Sequence, residues 1–100
     1  MELSISRNGD AAFAKMSGKF TFSDHMKFKD VLALAEDASI KSVTLDFAAI
    51  EFLDSAGLGM LMILRKIAMQ NGQGVTIASA NGQVDKVLRL SRFDEMFNMV

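Results

Sequence analysis

Residues 52–61 read FLDSAGLGML, and the fold turns on how this stretch is read. Asp54 and Ser55 sit side by side between an apolar pair and an apolar run that holds two glycines, Gly57 and Gly59. Glycine near the start of a helix weakens it by roughly 1 kcal/mol relative to alanine. Upstream, Val43, Leu45 and Phe47 alternate, which predicts a strand over Ser42–Phe47. Downstream, the apolar spacing predicts a helix from Ala56 to Asn71, with Gly72 as the residue that ends it. The stretch is therefore the joint between a strand and a helix, with a serine at the tip.

Working outward, the same two periods recur. Glu2–Ser6 alternates, Asn8-Gly9-Asp10 has hairpin-turn chemistry, and Ala11–Met16 returns as the paired strand. Gly18 is expected to break that strand. Ser23 is a candidate N-cap, with Asp24 in the first turn. Phe28, Val31, Leu32 and Ala35 then form an apolar helical stripe that ends near Ala38. Val75–Ser79 reads as a buried strand. Asn81 caps a third helix through Ser91, with Val84, Val87 and Leu88 inward, and Phe97–Met99 is a short edge strand. The order is ββαβαβα plus that C-terminal edge strand. Strands alternating with helices imply crossover connections and parallel pairing. The expected fold is α/β: one domain over residues 1–100, a small mixed β-sheet with helices packed against it.

Composition narrows the function. The chain has 100 residues, 12 acidic against 11 basic, so it lacks the basic excess of a nucleic-acid binder. There is no cysteine, which excludes disulfides and thiolate metal sites. MELSISRNGD is not a secretory signal, and the apolar run Ala56–Leu64 is too short to span a bilayer. The expectation is a cytoplasmic domain with no nucleic-acid and no membrane partner. His25, the single histidine, has no second ligand near it in sequence, so no metal is expected. Asp46 and Asp54 have no companion base or metal ligand, so no catalytic dyad and no cofactor are expected.

At 100° per residue, Met60, Ile63, Leu64, Ile67 and Ala68 fall on the side of the second helix expected to face the sheet. Ser55, Leu58, Met62, Met69, Arg65, Lys66, Gln70 and Gln73 fall on the other. An apolar group beside a serine at a helix tip suggests a partner site, because contiguous patches tend to mark such sites. Met26, on the outer side of the first helix, extends the same patch or stands alone. The tip itself has unpaired N–H groups and a positive dipole end, which favour anions such as phosphate. On residue types alone a plainer reading stands beside this one. Ser55 is simply an N-cap, and the glycines allow close packing.

The motif DSAGLG, between an apolar strand and an apolar helix, resembles the signature of STAS domains, among them the bacterial anti-sigma factor antagonists. There an Asp-Ser pair is followed by a small residue and then Gly-Leu-Gly. Gly18-Lys19-Phe20 resembles the family's second-strand glycine motif, and LRLSRFDEMF its closing segment. The resemblance implies a non-enzymatic switch. Ser55 is the phosphorylation site, and an anti-sigma factor that is also a serine kinase binds the unmodified form. Phosphorylation releases it, and a PP2C-type serine phosphatase restores it. The implied partner surface comprises Asp54, Ser55, Ala56, Gly57, Leu58, Gly59 and Met62, with Thr21 and Met26. Thr21 departs from the pattern, since many antagonists carry an aspartate there. STAS-like domains also serve as non-catalytic subunits of lipid-transport ABC complexes, which is the alternative.

Overall fold

The computed structural model describes residues 1–100. A hairpin opens the chain: β1 (Glu2–Asn8) pairs antiparallel with β2 (Ala11–Phe20). A 3-10 turn at Phe22–Asp24 leads into α1 (His25–Glu36), and then come β3 (Ser42–Leu53), α2 (Ser55–Gln70) and β4 (Gly74–Ala78). The chain closes with α3 (Gly82–Leu90), a second 3-10 turn at Phe93–Glu95 and β5 (Asn98–Met99). The sheet order is β1-β2-β3-β4-β5, and every pairing after the hairpin is parallel. Each parallel pair is joined by a helical crossover, as the alternation of periods implied.

The strand alternation is one-sided. Ala12, Ala14 and Met16 of β2, Val43, Leu45 and Phe47 of β3, and Ile77 of β4 are buried, while Phe13 and Lys15 between them are exposed. Phe28, Val31 and Ala35 of α1, Met60, Leu61, Leu64 and Ala68 of α2, and Val84 and Leu88 of α3 complete one apolar core with them. The opposite sheet face carries Ser6, Phe13, Thr44, Thr76 and Asn98 in one row across the strands.

Several local expectations are corrected. Gly18 does not end β2, because it takes a φ of +86° and the strand runs on to Phe20 through two register shifts. Only glycine adopts that conformation without penalty, so the strand kinks where another residue would break it. β3 extends to Leu53 because it keeps pairing with this prolonged β2, Gly18 opposite Ile50 and Phe20 opposite Leu53. Ser23 is not the cap of α1. It lies inside the 3-10 turn, which Thr21 begins. Gln73 is buried, not solvent-facing, because its Nε2 donates to the carbonyls of Leu34, Asp37 and Ile40 at 3.0–3.1 Å and so ties off the end of α1.

The phase of α2 also shifts. Its buried arc is Gly57, Met60, Leu61, Leu64 and Ala68, and Ile63 is 50% exposed. The helix has more apolar residues than one face can bury, so spacing alone could not select the arc. Leu61→Ala is expected to cost about 2–5 kcal/mol through the cavity it leaves, lowering the thermal midpoint by roughly 10 °C or more. Ile63→Ala should cost under about 1 kcal/mol. Thermal melts of the two variants check the assignment.

Candidate functional site

The parallel strands β2 and β3 end together, and their ends form the site. The Asp54 N–H donates to the Phe20 carbonyl at 3.3 Å, just where β3 gives way to α2. Asp54, and not Ser55, is the N-cap. Its Oδ1 accepts the Gly57 N–H at 2.8 Å. Its Oδ2 accepts the Phe22 N–H at 3.3 Å, which ties the turn after β2 to the tip of α2. Aspartate caps well because its charge also complements the positive end of the helix.

Ser55 is thereby displaced into the first helical position. It is exposed, and its hydroxyl makes no hydrogen bond within the chain. Ala56 and Leu58 are half-buried, and Leu58 packs against the core. The two glycines have separate causes. A Cβ on Gly57 would lie 2.8 Å from the Phe20 carbonyl oxygen and 3.4 Å from Leu53 and the Phe20 ring. A Cβ on Gly59 would meet nothing within 4 Å. Gly57 is bare so that α2 can sit on the end of β2, whereas no intramolecular contact accounts for Gly59.

Ser55, Gly59, Met62, Ile63 and Lys66 form one exposed stripe along α2. Met62, 37% exposed, stands where the helical wheel put it, and Ile63 joins it. Thr21 is half-buried at the start of the 3-10 turn, with its hydroxyl 2.9 Å from that of Ser23. Met26 is exposed in the first turn of α1. Sequence reasoning missed Phe22. It is 65% exposed, stacked on His25 at 4.9 Å, and held by Asp54. Its alternation with Phe20 imitated a strand residue, and the polar TFSD turn was the available signal. His25 Nδ1 lies 2.9 Å from the Phe22 carbonyl, so that nitrogen carries the proton and donates.

Beneath this turn Asp24 is buried. It accepts the Thr21 N–H at 2.9 Å and pairs with the Met1 ammonium at 3.1 Å. Burial would raise its pKa, but the Thr21 N–H, the Met1 ammonium and Lys27 outweigh burial and hold the carboxyl below its usual value. No three His, Asp or Glu side chains converge to hold a metal ion, and no helix is long and apolar enough to cross a membrane.

Residues 3–100 match the family described as Mlab, STAS domain, and the chain belongs to the STAS-domain family. It is 29% identical over 94 residues to a STAS-domain containing protein of Pseudomonas aeruginosa (strain UCBPP-PA14), covering 94% of this chain and 92% of that one. Its fold resembles an anti-sigma factor antagonist from Mycobacterium paratuberculosis, with a TM-score of 0.83 at 18% identity over 98% of this chain and 83% of that one. It also resembles the Bacillus cell fate determinant SpoIIAA in its phosphorylated form, with a TM-score of 0.78 at 10% identity over 99% and 91% of the two chains.

Two predictions follow from the packing. Gly57→Ala forces backbone apart and should destabilise the protein by about 1–3 kcal/mol, whereas Gly59→Ala should stabilise it by roughly 0.5–1 kcal/mol. Urea unfolding of both distinguishes them. Asp24, with its folded pKa depressed, contributes stability that is present above the unfolded value and lost as pH falls through the folded one. Asp24→Asn should therefore melt below the wild type at neutral pH, and the gap should close in acid.

Proposed function

We propose that the protein is a partner-switching regulator of the anti-sigma factor antagonist kind. In this reading it binds an anti-sigma factor that is also a serine kinase while Ser55 is unmodified. Phosphorylation of Ser55 releases it, and a PP2C-type serine phosphatase reverses the change. The observation that carries the proposal is the division of labour at the tip of α2. Asp54 does the capping, so the exposed Ser55 hydroxyl has no structural duty.

The electrostatics support a switch of docking, with the fold left intact. A phosphoryl group adds about −1.5 to −2 charge at neutral pH. At the first position of a 16-residue helix, that charge sits at the positive end of the macrodipole. A partner packed over Ser55, Gly59 and Met62 would instead have to desolvate a dianion beside the Asp54 carboxylate. Burying such a charge unpaired costs several kcal/mol. The bare Gly59 suits close approach of a partner or of a kinase active site. Exposed Met62, with Ile63 and Phe22 around it, offers the adaptable apolar contact that methionine-bearing surfaces provide. SpoIIAA supports the same logic by analogy, because the fold here matches its unphosphorylated and phosphorylated forms alike, with TM-scores of 0.79 and 0.78.

A second reading is a non-catalytic STAS subunit of a lipid-transport ABC complex. It draws support from the family description, which names Mlab and no antagonist. The same apolar stripe could dock on an ATPase with no modification of Ser55.

Three variants separate the readings. On the switch reading, Ser55→Ala should hold the kinase partner as tightly as the unmodified protein, and Ser55→Asp should bind it at least tenfold more weakly with its thermal midpoint kept. Met62→Ala should also lose at least tenfold in affinity, as a truncated interface anchor does at a cost near 2 kcal/mol, without a large change in midpoint. Calorimetric titration against the co-purified partner, with peptide mapping after incubation with ATP, reads all three. Phosphate on Ser23 or Ser91 with Ser55 untouched would sink the switch. Co-purification of an ATPase whose binding ignores Ser55→Asp would favour the transport subunit.

A further inference from the structure

We propose that the free edge of β1 is a self-association surface. A second copy of this chain pairs with it antiparallel, about a twofold axis at Ser4. β1 is the outermost strand and bonds only to β2, whereas the other edge of the sheet, β5, has two residues. β1 has seven residues, and Ser4 to Asn8 are all exposed.

Natural proteins blunt such an edge with lysine, proline, a bulge or an inward charge. Of these β1 has only a charge on the helix-covered face, Arg7 opposite buried Ala12. Its register with β2 runs unbroken from Glu2 opposite Ser17 to Asn8 opposite Ala11, and the segment Leu3–Ser6 is uncharged. Arg7, its one basic residue, is drawn back onto its own chain, to the Gly9 carbonyl at 2.9 Å, the Ser39 hydroxyl at 2.6 Å and the Asp37 carboxylate at 3.4 Å. The net charge of −1 sets up little long-range repulsion between copies.

The side-chain pattern selects the register. Leu3 and Ile5 stand opposite Met16 and Ala14, on the face the helices cover, while Glu2, Ser4 and Ser6 stand on the open face. A slip of one residue would send every side chain to the wrong face. A twofold axis normal to the sheet therefore allows only registers in which the two opposed residue numbers sum to an even value. With Ser4 opposite the second copy's Ser4, each Leu3 meets an Ile5 and each Ile5 a Leu3, and Glu2 meets Ser6. Moving the axis one residue on, to Ile5, sets Leu3 against Arg7. Moving it back, to Leu3, sets Ile5 against Met1, also apolar, but opposes only Glu2–Ser4 of β1, where the axis at Ser4 opposes Glu2–Ser6. The axis at Ser4 thus gives the longest overlap of β1 in which both apolar residues meet apolar residues, including Ile5, now 39% exposed. A single strand pair is small beside stable dimer interfaces, so the association is weak and reversible. It does not depend on the partner-switching reading.

Sedimentation of the full chain from ~10 µM to ~1 mM should show a concentration-dependent monomer–dimer equilibrium. Ser4→Lys sets two ammonium groups opposite each other and should weaken it at least tenfold while the thermal midpoint holds. The chain has no cysteine, so single thiols report the register. Ser4→Cys should cross-link under a mild oxidant. Ser6→Cys should not, because its two copies would lie about 14 Å apart along the strands. A monomer at every concentration, an unaffected Ser4→Lys dimer, or equal cross-linking of the two cysteine variants would each overturn the proposal. Should Ser4→Lys fail to fold, the cysteine pair still decides.

Discussion

The Phe20 carbonyl is the point on which the candidate site rests. It accepts the Asp54 N–H, and the backbone of α2 at Gly57 passes so close that no side chain fits between them. Beneath it the Phe20 ring is buried against Phe28 of α1 at 5.1 Å. The end of β2, the start of α2 and the first helix are thus fixed on one another at a single residue. Asp54 completes the joint by holding the Gly57 N–H with one oxygen and the Phe22 N–H with the other. Two segments distant in sequence, the 3-10 turn at Phe22–Asp24 and the DSAGLG motif, become one surface for this reason.

That joint separates what the fold needs from what the surface offers. Removing the Asp54 carboxylate would leave two backbone N–H groups without their partner, a loss of the kind that costs about 0.5–2 kcal/mol at a helix cap. Removing the Ser55 hydroxyl would leave nothing unpaired. A residue with no structural duty at the positive end of a helix can change its charge while the core beneath it stays packed. In the proposed switch, a phosphate on Ser55 would accordingly change what the surface accepts and leave the fold in place.

The order of elements, the parallel pairing and the place of the motif were legible in the sequence, because period two and period 3.6 alternate cleanly and the turn residues stand between them. The parts that were not legible depend on contacts between distant segments. Gln73 looked solvent-facing because nothing near it in sequence shows that the carbonyls of Leu34, Asp37 and Ile40 need a donor. β3 looked six residues shorter because its far half is a strand only by pairing with β2 from Ser17 to Phe20. Ser55 looked like the cap because serine and aspartate are comparable caps, and the choice was made by the position of the Phe20 carbonyl. In α2 the apolar residues outnumber the buried positions, so Leu61 and Ile63 could not be told apart by spacing.

The same excess of apolar residues leaves α2 with an exposed apolar stripe. A helix that only had to cover the sheet would need one apolar face. This one buries Gly57, Met60, Leu61, Leu64 and Ala68, yet keeps Met62 and Ile63 in solvent on the stripe that Ser55 begins. The two glycines belong to opposite faces of the same turn. Gly57 lets the helix descend onto β2, and its bareness is explained from inside the molecule. Gly59 faces open space, where alanine would make a better helix, and no contact inside the molecule explains its bareness. That loss, beside a free hydroxyl and two exposed apolar side chains, is what the proposed docking of a partner on this stripe would account for.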